Sequence, residues 1–169
     1  FRMTEMQSQI GLVELDRFDN WNLKNRIRNG QMLVAALKNH PLVKYAPIDT
    51  PERQNSYWWA PFVLDTDKLT VSMDKFIKAV AAEGVPVYSV LWPEMYKEKV
   101  FVERKGFGTA DYPFYDPKSR NIDYTKFNCK QAQWMTHRTI SFFTHPVYTE
   151  EHMNAYIAAF KKVADVYMK

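Results

Sequence analysis

All nine prolines of this 169-residue chain fall at or after Pro41, and none interrupts residues 4 to 40. Proline removes an amide donor and clashes with the preceding helical turn, so its distribution divides the chain before any other signal is read. The opening forty residues are free to form long helix; the rest must be assembled from shorter pieces. Thr4-Glu5-Met6-Gln7 has the spacing of a capping box, which predicts a helix that starts after Thr4. Met6, Ile10 and Val13 then recur on one face. A second helical stretch is expected from about Arg17 to Asn39, with Leu23, Ile27, Val34 and Leu37 as its apolar stripe and Gly30 tolerated inside. The two stretches read as one bent helix or a close pair, stopped at His40-Pro41.

Beyond Pro41 the periodicity alternates. Leu42 to Tyr45 reads as a short strand and Asp49 to Ser56 as a loop. Tyr57 to Leu64 is a strongly aromatic strand, where Pro61 argues for an edge position or a bulge. Ser72 caps a helix to Glu83 with Met73, Phe76, Ile77 and Val80 inward and Gly84 as its stop. Val85 to Leu91 reads as a strand, and Trp92 to Phe127 as a long irregular stretch of the kind that is often functional. Cys129 to about Arg138 looks helical, Thr139 to Phe143 extended. Thr149 caps a last helix whose seam is Met153, Tyr156, Ile157, Phe160, Val163, Ala164 and Tyr167. The sum is a mixed α/β layer, helices packed on a small sheet.

Several function classes are disfavoured early. With 46% hydrophobic and 25% charged residues the chain is not of disordered composition. Its longest apolar runs, such as Ala79 to Ala82, fall far short of the roughly 20 residues of a membrane span, so no membrane role is expected. One cysteine, Cys129, excludes an internal disulfide and cysteine-rich metal centres and fits a reducing, cytoplasmic compartment. Between Lys97 and Lys126 there are seven Lys/Arg and five Asp/Glu, a net of +2 with interleaved signs. That pattern fits a solvated face rather than the basic stripe of a nucleic-acid binder, so no nucleic-acid partner is expected. The first residue is Phe1 and a helix pattern follows at once, which reads as a piece of a longer chain.

Tests for chemistry are mostly negative. The four histidines, His40, His137, His145 and His152, form no His-Glu-x-x-His pattern, so a zincin is excluded and no metal site is expected. Surface or capping roles suit them better. Ser72-Met73-Asp74-Lys75 matches Ser-x-x-Lys, but its companion signatures are absent and Ser72 is better explained as a cap. Five glycines, none arrayed before a helix, leave no phosphate cradle.

Three segments carry a resemblance. Phe1-Arg2-Met3-Thr4-Glu5-Met6-Gln7-Ser8-Gln9-Ile10-Gly11-Leu12 is similar to Asn-x-Arg-Met-(Ser/Thr)-Glu-x-Gln-Ala-Ala-(Ile/Leu)-Gly-Leu. Ala82-Glu83-Gly84-Val85-Pro86-Val87 is similar to Ala-Glu-Gly-Ile-Pro-x. Thr139 to Pro146, followed by Thr149-Glu150-Glu151, looks like Leu-Ser-Leu-Pro-Leu-His-Pro before Leu-Thr-Glu-Glu-Asp. All three patterns are those of the DegT/StrS family of pyridoxal-phosphate-dependent sugar aminotransferases, and in order they cover nearly the whole chain.

The resemblance implies the C-terminal half of a type I aminotransferase fold. Residues 1–40 would be linking helices that border a large domain and a dimer interface, and residues 41–169 a small α/β domain. The family's Schiff-base lysine, the acidic partner of the pyridine nitrogen and most phosphate-binding groups would lie upstream of Phe1, so no catalytic residue is nominated here. Arg2 is the cofactor-proximal candidate. Trp59, Trp92, Glu94, Met95 and Tyr96 are the substrate-binding candidates. Met95 and Ala60 stand where the family often has histidine, which weakens any transfer of nucleotide-sugar specificity and points to a cyclitol or another small keto compound. Lys97, Lys99, Arg104 and Lys105 offer anchors for an anion, although a solvated face suits them better. The implied reaction moves an amino group from a donor such as glutamate to a keto acceptor. A homologous non-catalytic binding or assembly module is the alternative.

Overall fold

The computed structural model describes residues 2–90 and 94–169. Helix α1, Glu5–Asp16, opens on the expected capping box: Gln7 N–H donates to Thr4 Oγ1 at 3.3 Å, and Thr4 N–H to Gln7 Oε1 at 2.9 Å. The chain then stays helical instead of folding back as a pair. A wide π-type turn spans Phe18–Leu23, where Asn22 N–H donates to the Arg17 carbonyl at 3.3 Å, and it feeds α2, Lys24–Leu37. Such turns insert one extra residue into the ladder and are frequent at functional sites.

The other elements are β1 (Val43–Tyr45), β2 (Trp59–Leu64), α3 (Met73–Ala82), β3 (Val87–Tyr88), α4 (Lys99–Val102), α5 (Lys130–Thr136), β4 (Thr139–Phe143) and α6 (Glu150–Tyr167). The strands form one sheet in the order β1-β2-β4-β3, antiparallel throughout. Side chains alternate across a strand, so Ala60, Phe62 and Leu64 share a face with Ile140 and Phe142. All five are fully buried in one core with Leu33 and Leu37 of α2, Phe76 and Val80 of α3, and Met153 and Phe160 of α6. Phe62, Phe142, Phe160 and Phe76 meet edge-on in series at 5.7–6.0 Å between centroids. Each such side chain contributes about 1.5–3 kcal/mol on burial, which makes this series the anchor of the layer.

Pro61 departs from expectation. It lies in β2, a central strand, paired with Ser141. The Leu64 amide donates to Arg138 on the β4 side at 2.8 Å, so by alternation the nitrogen of Pro61 faces β1. Strand β1 covers only Val63 and Leu64, so no ladder bond is lost at Pro61. The edge is local, made by the shortness of the neighbour.

The caps follow the sequence. Ser72 accepts the Lys75 amide at 3.3 Å, and Gly84 ends α3 in the left-handed region at φ 85°. Thr149 caps α6, and its reciprocal partner is His152, whose Nδ1 accepts the Thr149 amide at 3.2 Å. The expected strand from Val85 shrinks to Val87–Tyr88; Leu91 lies outside the described residues. The long segment before α5 is largely irregular and makes a small core of its own, with Phe101, Phe114, Tyr124 and Phe127 in ring contact at 5.0–6.2 Å.

Candidate functional site

The open face of the sheet carries the odd-numbered residues of β2 and β4. Trp59 packs edge-on to Tyr88 at 5.2 Å and against Phe143 at 4.8 Å between centroids. Helix α5 runs over this face and turns Ala132, Met135 and Thr136 toward it. Between helix and sheet lies a cleft of about 430 Å³, with Trp59, Pro61, Tyr88 and Ser141 on the sheet side and Ser89 and Val90 just after β3. Pro61 suits this position because its ring adds apolar surface where no neighbour strand needs its amide.

The walls of the cleft are mostly apolar, so its few hydroxyls decide what polar groups it accepts. Thr136 Oγ1 donates to the Ala132 carbonyl at 2.9 Å and Thr139 Oγ1 to Met135 at 2.8 Å. Both donors are spent within the fold. The hydroxyls of Ser89 and Ser141 have no hydrogen-bond partner among the described residues, and Ser141 is half-buried. Among the described residues, no charged side chain lines the cleft.

Six residues were singled out from the sequence; of the five that the structure describes, only Trp59 lies in this cleft. Glu94, Met95 and Tyr96 lie apart, on the flank of α5. The Tyr96 hydroxyl accepts from the Cys129 amide at 3.2 Å and donates to Glu94 Oε1 at 3.2 Å, and Lys97 Nζ lies 2.9 Å from that same oxygen. The hydrogen bond from Lys97 holds the Glu94 carboxyl down to about 2. Met95 is 70% exposed at the mouth of a smaller aromatic hollow formed with Tyr96, Phe101, Tyr124 and Phe127. Trp92 lies outside the described residues. Arg2 is exposed and has no hydrogen-bond or ion-pair partner among the described residues. Ala60, at the other family-histidine position, is fully buried in the core and faces away from the cleft.

The basic residues of the irregular segment are largely spent on the protein itself. Lys97 pairs with Glu94, and Lys105 lies 3.8 Å from Asp111. Arg104 donates to the Phe114 carbonyl at 2.8 Å and stacks on Tyr115. Sequence reading missed Tyr88, Ser89, Thr136 and Ser141. Their signal exists only once α5 folds across the sheet. Among the described residues, no group of three or more His, Cys, Asp or Glu is placed to hold a metal, and no helix is long and apolar enough to cross a membrane.

Comparison with known proteins places this architecture. An aminotransferase from Psychrobacter cryohalolentis superposes with a TM-score of 0.69 at 24% identity, covering 98% of this chain and 40% of that one. Helicobacter pylori PseC, an aminotransferase involved in the biosynthesis of pseudoaminic acid, gives 0.68 at 17% identity over 98% of this chain and 38% of its own. Escherichia coli GDP-4-keto-6-deoxy-D-mannose-3-dehydratase, solved with bound hydrated pyridoxal phosphate, gives 0.68 at 15% identity over 92% and 35%. The chain thus has the fold found in these proteins and spans two-fifths or less of their length. No curated protein matches it. The sequence profile of one family matches residues 1–161, nearly end to end, and by that match the chain belongs to the DegT/DnrJ/EryC1/StrS aminotransferase family.

Proposed function

We propose that this chain is the acceptor-facing part of a pyridoxal-phosphate-dependent aminotransferase, which moves an amino group from a donor such as glutamate to a keto-sugar or keto-cyclitol. One observation carries the acceptor assignment: a cleft walled by Trp59 and Tyr88 that, among the described residues, carries no charge and keeps two uncommitted hydroxyls, on Ser89 and Ser141. A hydroxylated ring with one apolar face suits such a surface. A charged nucleotide does not, because nothing lining the cleft offers it a counter-charge.

The cofactor, when bound, supplies the electron sink for amino transfer. Among the described residues only Arg2 carries the family's cofactor-proximal pattern, and it is exposed without a partner. The groups that hold the cofactor therefore belong to a proposed upstream domain bearing the lysine, with a homodimer completing the site. In this reading residues 1–40 are linking helices and residues 41–169 the small domain. Helix α2 shares the core with the sheet, whereas α1 buries none of its side chains, so α1 is the surface that calls for a neighbour. Glu94, Met95 and Tyr96 belong to the rim of the acceptor site, fastened to α5 by the Tyr96 hydroxyl.

The test joins the chain to its upstream half and assays amination of keto-cyclitols, free keto-sugars and nucleotide-linked keto-sugars with glutamate as donor. Amination of the first two classes is expected. Ser141→Ala should raise KM for them by roughly three- to tenfold, the cost of one hydrogen bond, with kcat little changed. Loss of water from the acceptor in place of amination would assign the dehydratase chemistry of the Escherichia coli relative. Turnover confined to nucleotide-linked acceptors would remove the acceptor assignment. A folded, cofactor-free protein would favour a binding module.

A further inference from the structure

A second cleft lies where the π-type turn meets the start of β2. It holds about 270 Å³ and is lined by Phe18, Asn22, Leu23, Arg26, Ser56 and Trp58. Its cation is half-buried and meets no acid. Arg26 Nε donates to Asn22 Oδ1 at 2.8 Å and Nη1 makes a long contact to the Thr144 carbonyl at 3.4 Å, while among the described residues no carboxylate lies within ion-pair distance. Arg28, two residues on, spends its fork on Asn29 and the Tyr148 carbonyl. A guanidinium has five N–H donors, so most of those on Arg26 remain uncommitted, and none is a buried orphan. Burial lowers the Arg26 pKa, and no nearby charge offsets that cost.

Two further features aim the cleft at a ligand. The wide turn sets Asn22 to hold Arg26 Nε and thereby fixes the orientation of the fork. On the other wall, Tyr57 sits in the left-handed region at φ 50°, and the next residue, Trp58, is 59% exposed. Backbone strain beside an exposed indole is the kind of outlier that clusters at ligand clamps. Phe18, 44% exposed, adds a second ring.

We infer that this cleft binds a small carboxylate carried on a flat ring, its oxygens on the Arg26 fork and its ring against Trp58. A planar fork matches a carboxylate in bidentate fashion. One cation, with no second basic side chain among the described lining residues, balances one negative charge better than the two of a phosphate ester. The volume lies below the roughly 300–1,000 Å³ of drug-sized sites, so the occupant has a single ring. The site is distinct from the Trp59 cleft, and its assignment does not depend on the amino-transfer reading.

The test titrates the nitrogen-15-labelled chain with benzoate, phenyl phosphate and phenol and follows the Arg26 Nε–H and Trp58 Nε1–H resonances. Benzoate should shift both saturably, more tightly than phenyl phosphate, and phenol should not. Arg26→Lys keeps the charge but loses the fork and should weaken benzoate by roughly tenfold. Trp58→Ala removes an exposed ring and should leave the melting temperature unchanged while weakening benzoate, so the inference stays testable if the arginine variant fails to fold. No saturable shift with benzoate, equal affinity in Trp58→Ala, or tighter binding of phenol or phenyl phosphate would overturn it.

Discussion

Tyr57 is held in its left-handed conformation from three sides. Its ring lies against Gly30 of α2, so closely that a β-carbon added there would collide with ring carbons. Its hydroxyl donates to the Pro47 carbonyl at 3.0 Å beside Asp49, and its own carbonyl accepts from Thr144 Oγ1. Burial first, then the Asp49 charge, pushes the phenol up to about 12. Gly30 is thus a packing requirement rather than a tolerated flaw in a helix. Alanine is the better helix former by about 1 kcal/mol, and at an exposed site Gly30→Ala would stabilise. Here the collision wins, because the ring is fixed at both ends and cannot yield. We expect Gly30→Ala to destabilise the chain by about 1–3 kcal/mol in thermal unfolding; an unchanged or raised melting temperature would show that Tyr57 moves freely.

The elements show why some of this was legible in the sequence and some was not. Caps at Thr4, Ser72 and Thr149 were readable because each is a contact between residues three apart. Pro61 misled because edge or centre depends on how far β1 extends, which the residues of β2 do not encode. Trp59 was found through its aromatic strand and the family resemblance, but its cleft also needs α5 laid across the sheet, and Arg26 gains meaning only from a carbonyl 118 residues away. The segment before α5 is docked by a short chain of polar contacts, Lys97 to Glu94 to Tyr96 to the Cys129 amide. Glu94 titrates near 2 in the folded state against an ordinary 4.5, so its contribution is complete above pH 4.5 and is lost as pH falls toward 2. Protection of the Cys129 amide from hydrogen exchange, corrected for intrinsic rate, should fall across that window. In Glu94→Gln it should be lower at neutral pH and flat on acidification. A flat profile in the unmodified chain would mean that Glu94 does not govern the dock.

At the scale of the whole molecule, the core and the apolar surface are in different places. Among the described residues, every large, fully buried side chain lies at or beyond Asn29, and α1 contributes none. Yet α1 is rich in apolar residues: Met6, Ile10 and Val13 on its regular face are 78%, 62% and 62% exposed, with Leu12 and Leu15 at 60% and 72%. A helix with that surface in water gains on any association that covers it, at about 25 cal/mol per Å² removed from solvent. The mass measured by light scattering should therefore rise with concentration. Replacing Met6 and Ile10 with glutamate and lysine leaves the Thr4–Gln7 cap in place and removes nothing from the core. The doubly substituted chain should keep its melting temperature and remain monomeric over the same range. Monomeric mass in the unmodified chain would mean that the apolar face of α1 is covered by its own chain in solution. A lowered melting temperature in the variant would likewise place α1 within the folded core, against the division of labour that the structure describes.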